Sequence, residues 1–152
     1  MKIKNLYLVA IIILLLILNI IYFKPLLLSD TVDVSNQIIM VLNESGVRNG
    51  EPYINSVEYQ TITSEQKNVI LDLFEKYPYK RTFATLFSDG SMSGLGNKTL
   101  YIYMYDDISL ACNIFITSTE KIVINEKNYS MENSEQLIEQ IINIMEWERA
   151  TL

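Results

Sequence analysis

Hydrophobic positions along the chain fall into three regimes. Residues 6–23, LYLVAIIILLLILNIIYF, run apolar with no charge and with Asn19 as the one strongly polar residue. Two later stretches repeat apolar residues at i, i+1, i+4, i+5 and i+8, the stripe of an amphipathic helix. Between these two stretches the period drops to two, the signature of strands with one face buried.

The first stripe is Val69, Ile70, Leu73, Phe74 and Tyr77. Thr63-Ser64-Glu65-Gln66 precedes it as a capping box, in which the Thr63 hydroxyl and the Gln66 side chain satisfy each other's orphan amides, and Pro78 stops the helix. The second is Leu137, Ile138, Ile141, Ile142 and Met145, entered through Asn133-Ser134-Glu135-Gln136 with the same logic. Strand-like runs occupy 80–88, 99–105, 109–118 and 122–125, with 128–130 an optional further one outside the strand order given below, separated by Asp89-Gly90, Asp106-Asp107, Thr119-Glu120 and Glu126-Lys127. Upstream, periodicity alone does not decide between strand and short helix for 38–42. The turn residues Gly46, Asn49-Gly50 and Pro52, followed by a second run at 57–62, favour a strand.

The order β-β-α-β-β-β-β-α predicts an α+β, two-layer domain, an antiparallel sheet with two helices packed on one face. Leu100, Ile102 and Met104, with Leu110, Cys112, Ile114 and Ile116 and with Ile122 and Ile124, supply the aliphatic layer beneath the helices.

The apolar run 6–23 predicts an N-terminal transmembrane helix, since 18 residues rise about 27 Å against a hydrocarbon core of roughly 30 Å. Its length exceeds the 7–15 residues of a cleaved signal, and Leu27-Leu28-Ser29 is a poor cleavage junction. The single cysteine, Cys112, lies too far along for a lipid anchor. Lys2 and Lys4 before the run, with only Lys24 close after it, put the N-terminus in the cytoplasm and the rest outside. The expectation is thus a single-pass protein of the cell membrane: a cytoplasmic tail 1–5, a signal anchor 6–23 that meets the lipid bilayer, a tether 24–36, an extracytoplasmic domain 37–148 and a tail 149–152.

Composition removes classes of chemistry. With no histidine among 152 residues, imidazole bases, Ser-His-Asp and Cys-His catalysis and His-ligated metals drop out. One cysteine removes an internal disulfide and Cys-based zinc sites. A net charge of −6 argues against nucleic acid as a partner. Residues 31–152 hold 9 basic and 17 acidic side chains, a domain that anionic surfaces repel. The abundance of Ile (22), Asn (13), Tyr (10) and Lys (9) matches AT-rich codons and a low-GC bacterium. In so Asn-rich a chain the sequons at Asn43, Asn97 and Asn128 arise by chance.

Candidate sites are few. Tyr101, Tyr103 and Tyr105 alternate away from the aliphatic layer, with Phe115 and Thr117 opposite them on the next strand. A tyrosine row on an open sheet face offers a partner-binding surface, because each ring combines a large apolar area with a polar tip; the plainer reading is that tyrosine suits a half-wet strand. The glycine-rich residues 89–96 lead into a strand and not a helix, which removes the phosphate-loop reading. Cys112 falls in the core register. Asp106 and Asp107 point oppositely in an extended chain, and no calcium-loop spacing is present. Trp147, between Glu146 and Glu148, suits a core edge. No catalytic residue, cofactor or metal site emerges.

The layout from about residue 37 to 147 resembles small uncharacterised membrane-anchored extracytoplasmic domains of low-GC Gram-positive bacteria. The segments that carry the likeness are 63–77, the LYIYMYD strand and the KIVINEKNYSM hairpin. Such domains carry no assigned chemistry, and many are lipoproteins, whereas this chain has no lipid-anchor cysteine. The resulting expectation is a non-enzymatic binding or interaction protein for a protein or cell-envelope partner. The alternative is an accessory or immunity-type protein that acts on another membrane protein through its apolar helix, with Asn19 as the polar contact.

Overall fold

The computed structural model describes residues 3–30, 37–60, 64–88, 90, 98–106 and 109–149. Its elements are α1 (Ile3–Tyr22), β1 (Pro25–Leu26), a 3-10 turn (Leu28–Asp30), β2 (Gln37–Arg48), β3 (Glu51–Gln60), α2 (Ser64–Phe74), β4 (Tyr79–Arg81), α3 (Phe83–Leu86), β5 (Lys98–Asp106), β6 (Ser109–Thr117), β7 (Lys121–Ile124), β8 (Lys127–Met131) and α4 (Ser134–Arg149). The strands form one antiparallel sheet of order β1-β4-β8-β7-β6-β5-β2-β3.

Side-chain alternation sorts this sheet into two unlike faces. Cross-strand partners Met40, Ile102, Ile114 and Ile124 form one continuous row, and all are buried. Leu42, Leu100, Ile116 and Ile122 form the next. Ile70, Leu73 and Phe74 of α2 and Leu137, Ile138, Ile141 and Met145 of α4 close over these rows in a single core. The α+β architecture and the strand character of 38–42 therefore stand. Asn49 and Gly50 both take positive φ, 55° and 84°, as do Asn125 and Glu126 at 46° and 64°. These are the two-residue loops whose twist matches paired strands.

Several expectations need correction. Among the described residues no helix is long and apolar enough to cross a membrane. α1 ends at Tyr22, one residue before the apolar run does; the Phe23 amide still donates to the Asn19 carbonyl at 3.1 Å, and its ring packs against those of Tyr22 and Phe83 at 5.0 and 5.1 Å. The transmembrane segment and the single-pass, cytoplasm-to-outside localisation built on it are withdrawn. What α1 does show is that its described side chains from Tyr7 to Ile21 are exposed, most of them Leu or Ile. Its C-terminus is held by Arg81, whose Nη1 donates to the Tyr22 carbonyl at 3.4 Å and whose guanidinium lies 5.5 Å from the Tyr22 ring centroid.

The tether is also shorter than expected. Pro25–Leu26 adds an edge strand to β4, and Leu26 and Leu28 are buried in the core, so residues 25–30 belong to the domain; residues 31–36 lie outside the described residues. The expected strand 80–88 is strand only over Tyr79–Arg81. Thr82 then caps the one-turn α3, with its amide donating to Thr85 Oγ1 at 2.8 Å. The capping residue Thr63 lies outside the described residues. At α4, Asn133 has φ 58°, not the extended geometry a capping box requires. Ser134 instead ties the helix start to the sheet, its hydroxyl donating to the Thr117 carbonyl at 2.7 Å and accepting from the Glu120 amide at 3.0 Å. A register shift after Met104 puts Leu110, not Ala111, opposite Tyr105 and leaves Leu110 48% exposed, outside the core where alternation placed it.

That shift makes a discriminating test. Ile114→Ala is expected to lower unfolding stability by about 2–5 kcal/mol, and Leu110→Ala by less than about 1 kcal/mol, in urea titrations.

Candidate functional site

The face of the sheet away from α2 and α4 carries the tyrosines. Register brings Val41, Tyr101, Phe115, Val123 and Asn128 into one row across β2, β5, β6, β7 and β8, with Ile39, Tyr103 and Asn113 in the row beside it. Tyr101 sits directly opposite Phe115, as its position in the strand predicts. The Tyr101 and Phe115 centroids are 5.0 Å apart at 60°, and Tyr103 and Phe115 are 6.3 Å apart at 72°. These tilted and edge-to-face pairs hold Phe115 between two tyrosines, each half-exposed. Tyr105 falls outside this cluster. It pairs with Leu110 across the register shift, one row farther along the strand. Thr117 is fully buried and spends its hydroxyl on Thr119 and the Lys121 carbonyl, so it offers nothing to a partner.

Partial burial pushes the Tyr103 phenol above its ordinary range, and the neighbouring Tyr101 and Tyr105 add to the shift. Its hydroxyl is therefore a neutral donor and acceptor over the physiological range.

Over β5 and β6 the open face carries the half-exposed aromatic cluster. Over β8, α3 packs down through Thr85, which is buried and whose hydroxyl bonds the Asn128 carbonyl. Ser88 follows, accepting from the Asn128 and Gly90 amides and donating to the Glu126 carbonyl. Between α3 and the β6–β7 turn lies a hollow of about 410 Å³, floored by Val123 and rimmed by Thr82, Thr119, Asn128 and Ser130. Because Val123 pairs with Phe115, the aromatic cluster abuts this hollow. No local pattern announces the hollow, since its rim comes from three separated segments. Its one sequence trace is the Thr82…Thr85 spacing ahead of the apolar Phe83 and Leu86, which marks a capped turn in place of a strand.

A second group on this face is unusual. The Oδ1 of Asn113, beside Tyr103, is buried and has no hydrogen-bond partner. An acceptor in that state costs about 1–3 kcal/mol unless something donates to it.

Cys112 is buried and burial pushes its thiol up to about 11, with Asn125 pulling slightly the other way. Thiolate nucleophilicity at neutral pH is thereby suppressed. Asp106 ends β5; Asp107 and residues 91–97 lie outside the described residues. Among the described residues no group of three or more His, Cys, Asp or Glu side chains is placed to hold a metal ion.

Two outcomes follow for Cys112. The native chain at pH 8 is expected to resist a thiol-specific disulfide reagent and to react fully once unfolded in urea. Because the folded thiol ionises later than the unfolded one, its contribution is fully present below about pH 9 and is lost as pH rises toward about 11. Cys112→Ser should flatten that alkaline decline in a stability-against-pH series.

Compared with known proteins, the chain matches no family model, no curated protein and no solved structure, so the resemblance in layout adds no residue to this site.

Proposed function

We propose that the chain is a binding protein whose partner, a protein or cell-envelope material, seats on the open sheet face around Tyr101, Tyr103 and Phe115, with Tyr105 at the margin. One observation carries this reading: three aromatic rings packed edge to face remain half-exposed on the part of the face that α3 leaves bare. Tyrosine suits a half-wet strand by itself, so what supports a partner is the packing of the three rings into one apolar cluster with polar tips. Catalysis is disfavoured because the chain has no histidine and its one thiol is buried and protonated.

A second reading places recognition on α1. Consecutive residues from Ile11 to Leu18 are each about half-exposed, so the apolar surface runs around the helix and is not confined to one stripe. A groove on a partner protein covers a stripe; an environment apolar on all sides, lipid among them, covers the whole. This reading requires lipid contact or an apolar partner around α1, and no crossing.

Changing Tyr101, Tyr103 and Tyr105 together to Ser, with the fold checked by circular dichroism, is expected to remove partners captured by cross-linking in intact cells. Replacing residues 5–24 with an unrelated segment should leave that capture intact. An unchanged partner set in the tyrosine variant and a lost one in the helix replacement would transfer the function to α1.

A further inference from the structure

We propose that the hollow beside α3 and the aromatic cluster adjoining it form one site for a neutral saccharide chain. This rests on the reading that the open face is the binding surface, and it adds the chemical class of what binds.

The extent of the surface sets the scale. From Tyr101 through Phe115 and Val123 to Asn128 the row crosses three inter-strand spacings, about 14 Å, so a ligand touching both ends is a short chain and not a single small molecule. The hollow at one end, about 410 Å³, is within the size range of small-ligand sites.

Chemistry then narrows the class. The rim carries the hydroxyls of Ser130, Thr82 and Thr119 and the Asn128 amide, the Thr82 and Thr119 hydroxyls each already sharing a hydrogen bond, with Thr85 and Thr117; hydroxyls and amides both donate and accept. A polyhydroxylated ligand needs that dual character at every contact. At the other end, Tyr101, Tyr103 and Phe115 offer apolar ring area tipped by two phenols. Saccharides match this combination because their rings carry apolar C–H faces between polar edges.

Charge argues for neutrality. On the hollow's rim one Lys121 stands with one Glu120, and the residues beyond 30 carry 17 acidic against 9 basic side chains. A polyanionic ligand would be repelled by that balance. An extended peptide is the competing occupant, and its backbone would pair along a strand edge, as added strands do. The site lies on the sheet's face, where ladder hydrogen bonds are already used, and this favours the saccharide.

The test uses the full chain, kept in solution with a zwitterionic detergent that contains no sugar because α1 is apolar and exposed. Tetrasaccharides of glucose, galactose and N-acetylglucosamine, and a neutral decapeptide, are titrated against the amide NMR spectrum. At least one tetrasaccharide is expected to shift the Phe115, Val123 and Asn128 signals. Ser130→Ala should weaken that binding about three- to tenfold, the loss of one ordinary hydrogen bond. The variant keeps the aromatic rings, and its unshifted spectrum serves as the folding control. The proposal is overturned if no tetrasaccharide shifts those signals, if the decapeptide shifts them instead, or if Ser130→Ala leaves binding unchanged. The first of these results, together with loss of cross-linked partners in the tyrosine variant, would remove the saccharide while leaving the open face as the binding surface. Saccharide binding that survives in the tyrosine variant would place the site in the hollow alone and would overturn its union with the rings.

Discussion

One constraint organises this molecule: a strand's side chains alternate, so a sheet can commit only one face to a given layer. Met40, Ile102, Ile114 and Ile124 are committed to α2 and α4, and each is fully or almost fully buried. Everything on the intervening positions is thereby sent to the opposite side. Tyr101 and Tyr103 reach the open face because Leu100, Ile102 and Met104 must reach the other. The core and the candidate site are two consequences of the same register, and a one-residue slip would exchange them.

The open face is not left wholly bare, and how it is partly covered determines what it can do. α3 occupies the β8 side through Thr85 and Ser88, which turn their hydroxyls to backbone groups of the β7–β8 hairpin. The face is thus divided into a covered third, a hydroxyl-rimmed hollow and an aromatic stretch. The same short segment reaches the other way, with Phe83 against Phe23 and Arg81 against Tyr22, and so couples the end of α1 to the sheet. Residues 79–88 therefore connect the end of the apolar helix to the open face of the sheet, although nothing in their composition distinguishes them.

Much of the fold was legible because it depends on local periodicity. The stripes of α2 and α4, the turn at Asn49-Gly50 and the position of Tyr101 opposite Phe115 follow from spacing and turn chemistry alone, whereas the turn expected at Glu126-Lys127 falls one residue earlier, at Asn125-Glu126. The misreadings share a different origin. Leu110 kept the right period and still left the core, because one extra residue in β6 at Ala111 reset the alternation. Residues 83–86 have strand-like composition but become helical where Thr82 and Thr85 bond each other and Thr85 finds the Asn128 carbonyl, 43 residues away. The second capping box failed because Ser134 was drawn to the β6–β7 turn. The apolar N-terminal run read as a membrane span, yet among the described residues no helix is long and apolar enough to cross a membrane, and the Phe23 ring packs on Phe83 of the domain.

By itself the sequence determined the α+β class, the two helix stripes, the aromatic row on alternate positions and the lack of any histidine, because each depends on residue identity and near-neighbour spacing. Only the tertiary structure decided which positions of the open face stay bare, where the hydroxyl rim gathers, that Asn113 keeps an unanswered acceptor and where α1 stops. Those features depend on groups brought together from distant segments, and no period along the chain records which segment will lie beside which.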